Sequence, residues 1–108
     1  MQDWNNTIIH NKRMTKITVK EQSGRWCFAF SGASMATVHI ERKETGNLRV
    51  YLKPDTSAAG TLVHTDHKRL VAFACGVLPA EVVVYVESDT EITKAYVCSD
   101  DGVNEASI

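Results

Sequence analysis

Apolar and polar residues alternate along most of the chain, and this alternation predicts β-strands. Ile17 and Val19 share one face of the segment 15–20, while the lysines beside them point the other way. A period of two residues is typical of a half-buried strand, because successive side chains point to opposite faces. The same pattern predicts further strands at 25–30, 35–42, 48–53, 82–87 and 91–99.

The apolar faces of these strands predict a single core, because each face needs an apolar surface to cover it. Segment 25–30 contributes three aromatic rings to this face. The residues predicted to form the core are Trp26, Phe28, Phe30, Val38, Ile40, Val50, Val84 and Val86.

The connections between strands predict an antiparallel meander. Segments 21–24 and 44–47 contain Gly beside Ser or Asn, which favours tight turns, and 44–47 is predicted to close a hairpin. Segment 54–60 is the longest irregular stretch, and the apolar pattern resumes directly after it, so we predict a loop within one domain.

A short helix is predicted at about 66–75. Thr65 or Asp66 can cap its start, Gly76 suits a left-handed stop, and Pro79 prevents continuation. Against the helix, segment 70–75 is apolar on all sides. The predicted fold class is therefore α+β, with an antiparallel twisted sheet of about six strands and this helix packed on one face.

A chain of 108 residues fits a single domain. We predict an N-terminal arm at 1–13, a folded core at 14–99 and a mobile acidic tail at 100–108. Three widely spaced cysteines without a C-x-x-C pair favour free thiols in a reducing cytoplasm. No apolar run approaches the roughly 18 residues of a membrane span, so no membrane contact is expected.

The net charge is -1, but the charges are unevenly distributed. Residues 1–54 hold nine basic and four acidic side chains, whereas residues 55–108 hold three basic and nine acidic ones. Such asymmetry can mark a polyanion-binding face. It can also disappear when the two halves interleave in one sheet, and we favour that interpretation.

A basic patch is the candidate partner-binding site. If strands 15–20 and 48–53 lie in one sheet, their outward side chains form a positive surface around one tyrosine. Tyrosine and arginine are favoured at binding centres, and an acidic protein surface is the expected complement. The predicted site residues are Lys16, Lys20, Arg49, Tyr51 and Lys53.

His64, Asp66 and His67 form the candidate metal-binding group, since imidazole and carboxylate groups are common metal ligands. A catalytic zinc needs three protein ligands and a structural zinc needs four. The spacing matches no known metal motif, and Asp66 also suits a helix cap. We therefore expect neither a metal nor a cofactor.

The sequence contains no nucleophile elbow, phosphate-binding loop or dinucleotide fingerprint. This favours a non-catalytic protein-binding module, such as a small regulator or inhibitor, over an enzyme. One alternative is a small metal-dependent enzyme that uses His64, Asp66 and His67. A second is nucleic-acid binding through the basic sheet face, which a pI near 6.4 disfavours. A homodimer is compatible with the sequence.

Overall fold

A computed structural model describes residues 16–32, 35–79, 81–100 and 102–108. Within these residues the chain forms strands and connections and no helix. The strands are β1 (Lys20–Gln22), β2 (Arg25–Phe30), β3 (Thr37–Arg42), β4 (Leu48–Lys53), β5 (Thr61–Asp66), β6 (Leu70–Ala74), β7 (Val83–Ser88), β8 (Ile92–Ser99) and β9 (Gly102–Glu105).

The strands form two antiparallel sheets that pack face to face as a β-sandwich. The first sheet has the order β1-β2-β7-β4-β5, and the second has the order β6-β3-β8-β9. Inward side chains from both sheets join one buried apolar cluster, which includes Phe28 and Val86 from the first sheet and Ile40 and Val97 from the second. Burial of this cluster is the main favourable term in folding.

The predicted meander was wrong, because the chain repeatedly crosses between the sheets. Among the described strands, only β1–β2, β4–β5 and β8–β9 pair with their neighbour in sequence. The connection 44–47 links β3 to β4 across the two layers and closes no hairpin. Turn chemistry indicates where a chain bends but does not indicate which sheet receives the next strand.

The predicted helix at 66–75 was also wrong, so the fold is all-β and not α+β. Asp66 ends β5, and the segment from Leu70 to Ala74 forms β6, which pairs with β3. Asp66 Oδ1 accepts hydrogen bonds from the backbone N–H groups of His67 and Lys68 at 2.8 and 3.0 Å. An aspartate side chain accepts the same backbone hydrogen bonds in a turn as at the start of a helix. Asp66 was therefore interpreted as a helix cap, although it closes a turn.

The C-terminal segment is part of the sheet and not a tail over its described residues. β9 pairs with β8, and Ala106 is buried. The Ser107 N–H donates to the Ile17 carbonyl, and the Val19 N–H donates to the Ser107 carbonyl, both at 2.8 Å. Ser107 therefore hydrogen-bonds the start of the described chain beside the second sheet, to which Ala106 is bonded through Ala95. The predicted arm at 1–13 lies outside the described residues.

The core matches the sequence prediction closely. Seven of the eight predicted residues are buried, and Trp26 is partly buried against the same cluster. Strands β2 and β4 have the bounds that the alternation predicted.

Arg42, at the end of β3, is completely buried. Its guanidinium donates from Nη1 to the Ser88 hydroxyl at 3.2 Å and to the Asn47 carbonyl at 3.4 Å, and from Nη2 to the Lys68 carbonyl. Burial lowers the pKa of Arg42, whereas the charges of Asp66 and Asp89 oppose that effect. One side chain thus links two connections and the last residue of β7 at the same end of the sandwich.

We predict that Arg42→Ala lowers the free energy of unfolding by about 3 kcal/mol, because it removes the three hydrogen bonds of a buried side chain and opens a cavity. Urea unfolding followed by circular dichroism measures the loss. Arg69→Ala, at an exposed neighbouring position, should change stability by less than about 0.5 kcal/mol. Equal losses in both variants would show that the Arg42 network does not stabilise the fold.

Candidate functional site

The outer side of the five-stranded sheet carries two rows of side chains that run across the strands. The pairing of β1, β2, β7 and β4 aligns Lys20, Cys27, Glu87 and Arg49 in one row. The next row is Ala29, Tyr85, Tyr51 and Leu62. We call this surface, with Lys16, Arg25, Lys53 and Asp89 at its margins, the basic face. Its side chains point outward because the alternate positions fill the core.

The acidic groups of the basic face are occupied by its arginines. Arg49 contacts Glu87 through Nε at 2.8 Å and Asp89 through Nη2 at 2.6 Å, and Arg25 contacts Glu87 through Nη1 at 3.3 Å. The hydrogen bonds with Asp89 and then Glu87 raise the pKa of Arg49 above its ordinary value. These pairs fix Arg49 in place and neutralise the carboxylates beside it.

The lysines of the basic face are not neutralised in this way. Among the described residues, no carboxylate forms an ion pair with Lys16, Lys20 or Lys53. Hydrogen bonds from Ser57 lower the pKa of Asp55, and the nearby charge of Lys53 adds to that effect. Asp55 is therefore a neighbour of Lys53 without being its contact partner.

An aromatic pair lies at the centre of the basic face. The rings of Tyr51 and Tyr85 are 6.3 Å apart, and Lys53 Nζ lies 3.9 Å from the Tyr85 ring centroid, a cation–π distance. Gly60 allows this position of Lys53. A Cβ built on Gly60 would lie 2.5 Å from Lys53 Cγ, and its φ of +76° also favours glycine.

A groove of about 510 Å³ runs between β1 and β7. Small side chains on β2, Cys27 and Ala29, leave it open, while Lys16 and Lys20 lie on one side and Tyr85 on the other. Burial, together with a hydrogen bond to Cys27, raises the pKa of the Tyr85 hydroxyl, so Tyr85 stays neutral at physiological pH. The groove therefore combines two cationic side chains with a neutral aromatic wall.

All five residues of the sequence-predicted site lie on the basic face, but they do not form one continuous patch. Lys16 and Lys20 lie along the groove, Tyr51 and Lys53 surround Tyr85, and Arg49 is engaged by carboxylates. The sequence-predicted site omitted Tyr85. The signal was present, since Val84 and Val86 alternate with Tyr85 and Glu87.

The side chains of His64, Asp66 and His67 do not converge on one point. The His64 ring stacks on Phe73 with centroids 5.2 Å apart, and its Nε2 lies 3.5 Å from Asp66 Oδ2. His67 Nδ1 lies 3.3 Å from the Asn47 side-chain oxygen. In the part of the chain that the structure describes, no group of three or more His, Cys, Asp or Glu residues is close enough to hold a metal.

The comparisons with known proteins give no relative. No protein-family model, no curated protein and no solved structure matches this chain. Over the described ranges, no helix is long and apolar enough to cross a membrane. The geometry of the site is therefore the basis on which a function can be proposed.

The turn formed by Asp66 predicts a dependence of stability on pH. Hydrogen bonds from the backbone of Lys68 and His67, and the neighbouring His64, lower the pKa of Asp66 despite its partial burial. A lowered carboxyl pKa stabilises the fold above the unfolded-state value of about 3.9, and this stabilisation is lost as pH falls through the folded-state pKa.

We predict that Asp66→Asn is less stable than wild type at pH 7, and that the two proteins converge as pH falls toward 2. Urea unfolding at several pH values measures this difference. Asp100→Asn, at an exposed position, is the control. A difference between wild type and Asp66→Asn that stays constant over this range would show that the Asp66 charge does not stabilise the turn.

Proposed function

We propose that the chain is a non-catalytic protein-binding module that acts as a small regulator or inhibitor, and that it recognises an acidic partner through the basic face. The observation that carries this proposal is the separation of charges on that face. Its arginines neutralise Glu87 and Asp89, whereas its lysines have no ion-pair partner among the described residues. Lysines without a carboxylate partner beside partly exposed aromatic rings favour an acidic complement.

The aromatic pair supports a protein partner over a nucleic acid. Tyr51 and Tyr85 offer rigid contact area at a small entropic cost, which is typical of protein-binding surfaces. Arg49, which could read a base or a phosphate, is already held by two carboxylates. The pI near 6.4 also lies far below the values above 9 that mark dedicated nucleic-acid binders.

Binding to a defined acidic polymer tests the charge requirement. We expect fluorescence-labelled poly-L-glutamate to bind the wild-type protein at low salt, as measured by anisotropy. The triple variant Lys16→Gln, Lys20→Gln, Lys53→Gln should bind about tenfold more weakly, since the three lysines without a carboxylate partner are then lost.

The matched control removes three lysines elsewhere, with the variant Lys43→Gln, Lys68→Gln, Lys94→Gln. All three positions are exposed, and the change in net charge is the same. Equal weakening by both triple variants would contradict a specific basic face. A DNA duplex of the same charge that binds more tightly, with an affinity that falls steeply with salt, would favour the nucleic-acid alternative.

We predict that Tyr51→Ala weakens binding of the same probe by at least about 1 kcal/mol, because the Tyr51 ring lies at the centre of the basic face. Tyr96→Ala is the control, since Tyr96 is a partly buried tyrosine that stacks on His39 in the other sheet. Isothermal calorimetry measures both. Wild-type affinity in Tyr51→Ala would remove the aromatic pair from the proposed site.

A further inference from the structure

The sandwich has four outer strands, and three of them carry features that discourage pairing with another strand. β1 contains Lys20 and Glu21, and β9 ends at Glu105 beside the bridge to the start of the described chain. β5 contains a bulge opposite Val50 and Tyr51 and ends at Asp66. Charges and bulges on outer strands are common protections against edge-to-edge association.

The outer strand β6 has none of these protections. Its sequence from Leu70 to Ala74 contains no charge and no proline, and its register with β3 is regular. The uncharged stretch continues from Leu70 to Pro79. β6 is therefore the one strand edge, among the described residues, that is open to a further strand.

The hydrogen-bonding groups of this edge can be assigned from the ladder with β3. The Cys75 N–H donates to the Ala36 carbonyl, and the Arg42 N–H donates to the Arg69 carbonyl. Because bonded and non-bonded positions alternate in an antiparallel pair, the N–H and C=O groups of Leu70, Ala72 and Ala74 point away from β3. In the described structure these groups pair with no other strand.

Exposed apolar side chains are concentrated on the same side of the sandwich. Leu70 is 54% exposed, and Val77, just beyond β6, is 82% exposed. Met35, whose N–H donates to the Gly76 carbonyl, is 66% exposed. On β5, the edge strand of the other sheet, Val63 is half exposed. An apolar cavity of about 220 Å³, lined in part by Val63 and Phe73, lies between β5 and β6.

We infer that β6 pairs with β6 of a second copy of this chain about a two-fold axis at Ala72, which joins the two four-stranded sheets into one of eight strands. In this register Ala72 exchanges both hydrogen bonds with its own copy. Leu70 lies opposite Ala74 of the second copy, so a large side chain meets a small one. The three N–H and three C=O groups of Leu70, Ala72 and Ala74 in each copy then all have a hydrogen-bond partner.

Charge identifies a second copy as the partner of this edge. A two-fold axis brings the same strand against itself, so a charged edge would face its own charge, which is destabilising. β6 is uncharged throughout, and the whole chain carries a net charge of only -1, so two copies repel each other weakly. An acidic partner, as proposed for the basic face, would find no complementary charge here.

Analytical ultracentrifugation of the full chain tests the proposal. We expect wild type to sediment as a dimer at high concentration, and Ala72→Lys to sediment as a monomer with an unchanged circular-dichroism spectrum, because its two lysines would meet at the axis. Val103→Lys is the control and should remain a dimer, since Val103 is an exposed apolar residue at the opposite edge of the same sheet.

Hydrogen exchange of the wild-type protein gives a second readout that needs no substitution. The amides of Leu70, Ala72 and Ala74 should become protected as concentration rises, while amides on the outer edge of β9 should not change. A monomeric wild type, or dimerisation of Ala72→Lys as strong as that of wild type, would overturn the inference. Concentration-independent exchange at the three amides would also overturn it, even if Ala72→Lys failed to fold.

Discussion

The burial of one positive charge constrains this sandwich more than any other single interaction. Arg42 lies at the end of β3 with no exposed surface, and burying a cation is costly unless its donors find acceptors. The acceptors come from the connection between β3 and β4, the connection between β5 and β6, and the last residue of β7. Both sheets must therefore meet correctly at this end before Nη1 and Nη2 find their acceptors, whereas the buried Nε has no hydrogen-bond partner among the described residues.

Ser88 extends this network beyond Arg42. Its buried hydroxyl donates to the Thr90 carbonyl at 2.6 Å and accepts from the Thr90 N–H. The hydroxyl that accepts from Arg42 therefore also closes the turn after β7. The Asp89 N–H between them donates to the Asn47 carbonyl at 2.9 Å. The ends of β7 and β4 are thus held side by side, which sets the pairing that brings Tyr85 against Tyr51 on the basic face.

Local periodicity was sufficient to predict the strands and the core, because both depend on which side of a strand each residue faces. Arg42 continues the phase of Val38 and Ile40, so its burial could also have been predicted from the alternation. The sheet to which each strand belongs could not be predicted, since pairing depends on contacts between residues far apart in sequence. Segment 66–75 shows the same limit, because an apolar stretch with a capping aspartate suits a helix or an outer strand until its partner is known.

Alternation along a strand does not separate the charged side chains that are available to a partner from those already held in ion pairs. Arg49 and Lys53 alternate on β4 and face the same way, yet Arg49 lies opposite Glu87 and Lys53 lies opposite Val83. Only the register across the sheet decides this difference. For the same reason the predicted patch included Arg49, although Glu87 and Asp89 occupy its guanidinium.

The two proposed surfaces differ in chemistry and lie on different parts of the molecule. The basic face covers the first sheet, whereas β6 is an edge of the second, so association through β6 would leave both grooves of a dimer exposed. Two grooves on one rigid particle could bind two acidic segments of the same partner at once. The second contact would then be intramolecular, and its effective concentration would strengthen binding without any new interaction. Each single contact through a surface lysine is weak. A binding face with few charges therefore gains most affinity when two copies of it bind the same partner.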